Sequence, residues 1–320
     1  MTSSTCRGLL HLAAAVDQPG VRDAGPYVEL ARLAERGGLD FVTLDDDVAR
    51  PGLDAPALLS LMGSATHRVG LVPTLAAGHT ASPQVQAAVA ALDRVGRGRA
   101  GRRIDLSTLE GGLGAEHRAL HEAVTGPPPS PADPSAVSGP PPGRPVRVVD
   151  ATEGHARRAA ARYADVVLVR VASCDQARSV RDRLCSEAAG AGRDADSLRV
   201  LASLLVDLGD GEHAAAPGHG GGGPRHSARG PLYRGGPVGL AELIAAWHQE
   251  GAVDGFHLIP VEPRRDLERL VNGTVALLQH RGLFRTFYPG STLREHLGLS
   301  RPADLYAVTG GGPRKEGLIT

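Results

Sequence analysis

The chain has 320 residues, of which 42% are hydrophobic and 22% charged, and its formal net charge at neutral pH is zero. This length suits one large domain, and the balanced charge argues against a nucleic-acid partner or an anionic membrane surface. No apolar run reaches the roughly 18–20 residues that span a bilayer. The three cysteines include no Cys-x-x-Cys pair, which favours a reducing, cytoplasmic setting over a disulfide framework.

Short apolar segments alternate with helical patterns through the first third of the chain. The first helix is marked by apolar residues at helical spacing, by Pro26 near its start and by the Gly37-Gly38 pair after its end. Strands are predicted at 9–15, 40–44, 69–75 and 100–107, and helices at 26–35, 55–65 and 83–94.

The same alternation resumes in the second half of the chain after a break. Residues 126–143 are rich in Pro, Gly and Ser and are predicted to form a flexible loop, as is the glycine-rich stretch 209–236. Strands are predicted at 146–149, 165–169, 198–205 and 253–259, and helices before residue 164, at 175–190, through 240–247 and at 264–281.

These segments make eight strand-like units, each followed by a helix or its remnant. Parallel strands require crossover helices, so the choice lies between an open doubly wound sheet and a closed barrel. Residues 9–20 lack the G-x-G-x-x-G pattern of a dinucleotide-binding sheet. We therefore predict a (β/α)8 barrel in one domain over residues 1–300, followed by a tail at 301–320.

Several segments, in a fixed order, carry a family resemblance. They are LARLAERGGLDFV at 30–42, LDRVGRGRAG at 92–101, GAVDGF at 251–256, RGLFRT at 281–286 and TLREHLGL at 292–299. Together they resemble the luciferase-like flavin monooxygenases of the nitrilotriacetate monooxygenase and pristinamycin synthase type. The chain looks like a shortened and divergent member of that family.

The resemblance implies a cofactor, partners and a reaction class. Its members are (β/α)8 barrels, usually dimeric, that bind reduced FMN, or a deazaflavin in some branches, at the carboxyl ends of the strands. They use O2 to oxygenate a small-molecule substrate, and a separate NAD(P)H:flavin reductase supplies the reduced flavin. The expectation is thus a two-component FMN-dependent monooxygenase of secondary metabolism, forming a homodimer.

The resemblance places five residues near the flavin, all at or just after the end of a strand. Asp46 follows the second strand, Thr74 ends the third and Ser107 ends the fourth. In the phosphate-binding turn after the fifth strand, Thr152 supplies a hydroxyl and Gly154 permits close approach. For Asp46 and Thr74, a solvated turn and an ordinary strand threonine remain the alternatives.

Three residues are candidates for catalysis. Arg103 is suited to an anionic substrate, although a solvated strand end would also account for it. His79 follows the third strand, where relatives carry an aromatic residue or histidine, and a surface loop histidine is the alternative. His11 begins the first strand and could equally be a hydrogen-bonded core histidine. No metal site is expected, because the histidines of the second loop are irregularly spaced.

Other features depart from the family pattern. Asp150 and Glu153 place carboxylates in the turn that should receive the FMN phosphate, where they would compete with it. Arg102 and Arg103 stand where relatives have Trp and Asn, and the loops after the fourth and seventh strands are short. These departures leave an alternative open: a divergent member without flavin that is a non-redox biosynthetic enzyme or a non-catalytic binding or scaffold subunit.

Overall fold

The computed structural model describes six stretches of the chain. They are residues 8–45, 55–76, 82–105, 145–152, 154–209 and 223–299. The predicted loop at 126–143 and the tail at 301–320 lie outside the described residues. No helix in the described stretches is long and apolar enough to cross a membrane.

Within the described stretches, eight parallel strands close into a barrel. They are β1 (His11–Ala15), β2 (Phe41–Leu44), β3 (Gly70–Ala76), β4 (Gly101–Asp105), β5 (Val146–Asp150), β6 (Val166–Val169), β7 (Arg199–Asp207) and, after two strands described below, β10 (Gly255–Pro260). Each strand pairs with the next, and β10 pairs with both β7 and β1, which closes the sheet. The predicted (β/α)8 barrel is confirmed.

Helices surround the barrel on the side away from its interior. They are α1 (Ala24–Arg36), α2 (Ala55–Ala65), α3 (Pro83–Gly96), α4 (Gly154–Tyr163), α5 (Cys174–Gly190), α6 (Pro237–Gln249) and α7 (Pro263–Arg269), with a 3₁₀ turn at Ala195–Ser197. Helix α7 continues through a π-helical segment, Leu270–Val275, into α8 (Ala276–His280), and a short helix α9 (Leu293–His296) follows. Local signals set several starts: the Asp23 and Ser173 side chains accept backbone hydrogen bonds at the starts of α1 and α5.

The stretch predicted as a loop at 209–236 contains a β-hairpin. Strand β8 (Arg225–Ser227) pairs antiparallel with β9 (Gly230–Arg234), and β9 pairs in parallel with the last residues of β7. The loop prediction is therefore wrong for this part of the stretch. Its many glycines are turn signals, whereas β9 is held by hydrogen bonds to both β8 and the distant β7 and by the buried Tyr233.

The amino-terminal end of the barrel is filled by apolar side chains and by the end of the described chain. The interior cluster consists of Ala13, Phe41, Val72, Val146, Val148, Val166, Leu168 and Leu201, together with Leu293, Leu297 and Leu299 from α9 and the residues after it. The segment that includes α9 therefore acts as a plug, which removes this end of the barrel from water.

Ion pairs and hydrogen bonds fasten this plug. Arg285 pairs with the fully buried Asp40, and Arg294 lies 3.3 Å from Asp165. Arg199, at the start of β7, donates to the carbonyls of Leu297 and Gly298 at 3.0 and 3.2 Å. The RGLFRT and TLREHLGL motifs thus lie at the amino-terminal face, the face associated with stability in such barrels.

Two glycines make room for the plug. A Cβ on Gly70 would lie 2.7 Å from the Leu293 side chain and 2.9 Å from Phe41, and a Cβ on Gly101 would lie 2.9 Å from Val72. Real Cβ atoms do not approach other atoms this closely, and the neighbours of Gly70 belong to the packed interior. The absence of a side chain at Gly70 is therefore what allows Leu293 to enter the barrel.

We expect Gly70→Ala to lower the free energy of unfolding by about 1–3 kcal/mol, because the added methyl group overpacks the interior. Gly190→Ala is the matched control, since no atom lies within 4 Å of a Cβ built at the end of α5. Urea unfolding of both variants measures the difference. A Gly70→Ala protein as stable as the wild type would show that Leu293 does not depend on this space.

Candidate functional site

The carboxyl end of the barrel interior is polar, unlike the amino-terminal end. Side chains alternate between the two faces of a strand, so the residue two places beyond an inward-facing core residue also faces inward. In this way Phe41, Val72, Val148 and Leu201 are followed by Thr43, Thr74, Asp150 and Ser203. The polar layer comprises Thr43, Thr74, Arg103, Asp150, Ser203 and His257.

Arg103 contacts two acidic residues at this end of the barrel, Asp45 and Asp150. Its Nη1 lies 2.9 Å from Asp45 Oδ1 and its Nη2 lies 3.5 Å from Asp150 Oδ2. The Thr74 hydroxyl donates to the same Asp45 oxygen at 2.6 Å. Only 12% of the Arg103 side chain is exposed, whereas Asp45 is half exposed. Arg103 therefore holds a charge inside the barrel mouth, with its counter-ions on β5 and just after β2.

Asp150 is the most heavily contacted group of the site. It accepts hydrogen bonds from the Thr152 hydroxyl at 2.6 Å and from Arg170 at 3.1 Å. Burial alone raises the pKa of Asp150, but Arg170, Thr152 and Arg103 outweigh that effect and hold the pKa below its ordinary value. The carboxylate is ionised at neutral pH and neutralised by its two arginines.

These contacts change the expectation for the phosphate-binding turn. Asp150 was expected to compete with phosphate, but its carboxylate is bound by Arg103 and Arg170 within the barrel mouth. The first turn of α4, as the structure describes it, contains no acidic residue. Arg157 supports the turn by donating to the Thr152 carbonyl at 2.7 Å. Glu153 lies outside the described residues.

His257 is a member of the site that the sequence analysis did not identify. One ring nitrogen lies 2.9 Å from the Thr43 hydroxyl and the other 3.1 Å from the Ser203 hydroxyl. Burial and the nearby Arg103 lower the pKa of His257 to about 3, although Asp150 acts in the opposite direction. The ring is therefore neutral, with one nitrogen donating and one accepting. A histidine two places after Gly255 in an apolar strand was the available signal.

The structure brings some of the predicted residues together and leaves others apart. Thr74, Arg103 and Thr152 lie at the carboxyl ends of β3 to β5, and Gly154 begins α4 beside them. His11 does not join them. It is the first residue of β1, at the amino-terminal end, where its Nδ1 lies 3.1 Å from Asp40.

Three predicted residues fall outside the described part of the chain. They are Asp46, His79 and Ser107. The acidic residue that the structure does place against Thr74 and Arg103 is the neighbouring Asp45. Among the described residues, no group of three or more His, Cys, Asp or Glu is arranged to hold a metal ion.

The low pKa of His257 predicts a pH dependence of stability. The unfolded chain takes up this proton near the ordinary pKa of about 6.5, whereas the folded chain resists it down to about 3. Folding is therefore weakened as the pH falls through this window. In His257→Gln, we expect the free energy of unfolding to fall less steeply between about pH 6 and 4.5, by about 1.4 kcal/mol per pH unit.

Urea unfolding at several pH values measures this difference. Comparing slopes between variants is necessary because burial raises the pKa of Asp93 to about 6, which changes stability in the opposite direction over the same range. His280→Gln, at the end of α8, controls for the loss of an imidazole and should follow the wild type. Parallel curves for His257→Gln and the wild type would contradict the assignment of a neutral, buried His257.

Comparisons with known proteins agree with this architecture. Residues 8–104 match the family model for luciferase-like monooxygenases. The chain is 24% identical to N-acetyl-S-(2-succino)cysteine monooxygenase of Bacillus subtilis over 88% of its own length and 91% of the relative's. A shorter match, 45% identical over 71 residues, joins 22% of the chain to 16% of nitrilotriacetate monooxygenase component A of Aminobacter aminovorans.

The fold has close counterparts among solved structures. EDTA monooxygenase from Chelativorans sp. BNC1 superimposes with a TM-score of 0.75 at 20% sequence identity, over 92% of this chain and 99% of that one. At this identity the likeness concerns the fold, and it agrees with the sequence match. In sequence and in fold, the chain is thus similar to luciferase-like monooxygenases.

Proposed function

We propose that the chain is a two-component, FMN-dependent monooxygenase that uses reduced flavin and O2 to oxygenate a small molecule bearing carboxylate groups. One observation carries the proposal. In a barrel of this family, a polar network of Thr74, Asp45, Arg103, Asp150 and Arg170 lies at the carboxyl ends of the strands. That end of such barrels is where catalytic residues are found.

The residues present are compatible with the phosphate group of FMN. The first backbone N–H groups of a helix attract anions, and the described first turn of α4 has no acidic side chain to oppose them. Arg170, which is 43% exposed, and the turn at Thr152 and Gly154 lie at the same end of the barrel. The Asp150 carboxylate is already neutralised. Bound there, reduced FMN would supply the electrons for the reduction of O2.

The arginines account for a carboxylate substrate. Arg103 Nε is buried and has no hydrogen-bond partner among the described residues, so this guanidinium retains a donor beyond its two ion pairs. An arginine fork suits the geometry of a carboxylate. Three of the relatives are named for nitrilotriacetate, EDTA and N-acetyl-S-(2-succino)cysteine, which carry carboxylate groups, whereas others are named for dibenzothiophene sulfone and a long-chain alkane, which carry none. We extend the carboxylate-bearing substrate class to this chain.

The remaining residues of the polar layer are uncharged, and they hold neighbouring side chains in position. His257 is neutral, so it adds no charge beneath the arginines, and its two hydrogen bonds fix Thr43 and Ser203. Thr74 orients Asp45, and Asp45 in turn orients Arg103. His11 is assigned a structural role at the opposite end, through its contact with Asp40.

The proposal includes partners and a biological setting. A separate NAD(P)H:flavin reductase supplies the reduced flavin, as the two-component relatives imply, and the protein acts as a homodimer. The substrate is an intermediate of secondary metabolism, in keeping with the resemblance to the pristinamycin synthase type. Each of these statements extends the family assignment to a property of this chain.

A second function is favoured by the charge of the barrel mouth. Arg103 and its acidic partners form a neutralised ionic network where the family resemblance leads to an expectation of Trp and Asn. Such a network needs no flavin. On this alternative, the chain is a divergent member that catalyses non-redox acid–base chemistry or serves as a binding or scaffold subunit.

Anaerobic titration with FMN, oxidised and reduced, separates the two functions. We expect micromolar or tighter binding of reduced FMN, followed by calorimetry or fluorescence. Arg170→Gln should weaken it by about tenfold, because a hydrogen bond to a charged group contributes about 1.5–3 kcal/mol. Arg183→Gln, an arginine on the exposed surface of α5, is the matched control. If the wild type binds neither form, the flavin-free function is correct and the monooxygenase proposal fails.

A further inference from the structure

The β8–β9 hairpin extends the barrel wall above β6. Strand β7 pairs with β6 along its first half, where Ala202 lies opposite Val169, and with β9 along its second half, where Leu205 lies opposite Leu232. Strand β9 therefore takes the place of β6 on the same side of β7, one step nearer the barrel mouth. Strand β8 lies beyond β9, on the side towards β5.

The turn of this hairpin lies close to Arg170. A Cβ built on Gly230, the first residue of β9, would lie 3.6 Å from Arg170 Cδ. Gly230 has φ +123°, a conformation that other residues rarely adopt. The preceding residue, Arg229, is exposed, and no hydrogen bond or ion pair joins its guanidinium to the residues that the structure describes. Arg229 therefore has a guanidinium free of described partners and directly precedes the glycine that lies beside Arg170.

The hairpin is firmly attached, so this turn has a fixed position. Arg234, at the end of β9, lies 2.9 Å from Asp207, and Arg265 of α7 lies 2.8 Å from the same carboxylate. Tyr233 is buried and donates to the Gly236 carbonyl at 3.0 Å. These contacts hold the far end of β9, and at the turn the Ser227 hydroxyl donates to the Gly230 carbonyl at 2.7 Å, so the hairpin needs little ordering when a ligand binds.

The charges around this turn do not balance among the described side chains. Arg103, Arg170 and Arg229 supply three positive charges, whereas the carboxylates in contact with them are those of Asp45 and Asp150. Asp45 already accepts a hydrogen bond from Arg103, and Asp150 accepts hydrogen bonds from Arg103 and Arg170. Arg103 and Arg170 lie at the mouth of the barrel and the turn that carries Arg229 lies beside Arg170, so an anionic oxygen group bound there would offset the surplus positive charge.

We propose that Arg229 and Arg170 form an oxyanion subsite, with the hairpin turn as its outer wall. Its ligand is an anionic group presented at the barrel mouth, either the phosphate of FMN or a carboxylate of the substrate. The choice of FMN phosphate and substrate carboxylate as the two candidate ligands rests on the proposed function. Its charge and geometry belong to the chain itself and hold for any ligand with such a group.

The test compares Arg229→Gln with the wild type against three probes: FMN, riboflavin and tricarballylate. Riboflavin lacks the phosphate of FMN, and tricarballylate is a tricarboxylate without flavin. If the subsite holds the flavin phosphate, the variant loses about tenfold in affinity for FMN and none for riboflavin. If it holds a substrate carboxylate, the loss appears with tricarballylate instead. Arg183→Gln controls for the loss of an exposed arginine.

The outcomes separate this inference from the proposed function. If FMN does not bind and Arg229→Gln loses affinity for tricarballylate, the flavin-dependent function is wrong but the subsite is supported. Equal affinities of Arg229→Gln and Arg183→Gln for FMN and tricarballylate would overturn the subsite, even if FMN binds well. Absence of binding of all three probes to the wild type would also overturn it. Thermal unfolding of each variant verifies that it is folded.

Discussion

Closure of the sheet by β10, between β7 and β1, is the constraint on which the rest of the structure depends. The closure needs Gly255, because a Cβ there would collide with the backbone carbonyl of His11. Once the barrel is closed, strand alternation decides which side chains meet inside it. The same strands then present apolar residues at one end and Thr43, Ser203 and His257 at the other.

The amino-terminal end of the barrel stabilises the fold, whereas the carboxyl end carries the proposed binding site. At the amino-terminal end, the segment from Arg285 to Leu299 packs into the barrel and removes it from water. At the carboxyl end, arginines and carboxylates remain partly exposed and retain spare hydrogen-bonding capacity. Two motifs that carry the family resemblance, RGLFRT and TLREHLGL, lie at the stabilising end, so they bear more directly on the fold than on the reaction. The proposed chemistry depends on the other end, where the family resemblance leads to an expectation of residues other than Arg102 and Arg103.

Local sequence patterns predicted the barrel because each unit carries its own periodicity; α2, for example, begins and ends where the apolar spacing places it. They could not predict the hairpin, because β9 pairs with the last residues of β7, more than 20 residues earlier in sequence, as well as with its neighbour β8. The ion pairs of Asp150 could not be predicted for the same reason: its arginine partners come from β4 and from the end of β6. His257 is hydrogen-bonded to Thr43 and Ser203, which lie 214 and 54 residues away in sequence, and these contacts form only once the barrel is closed.

The most direct test of this account is the position of FMN in a crystal structure of its complex with the protein. The account predicts flavin at the carboxyl ends of the strands, with its phosphate within hydrogen-bonding distance of Arg170 and of the first backbone N–H groups of α4. Flavin bound elsewhere on the molecule, or crystals that contain none at saturating FMN, would contradict it.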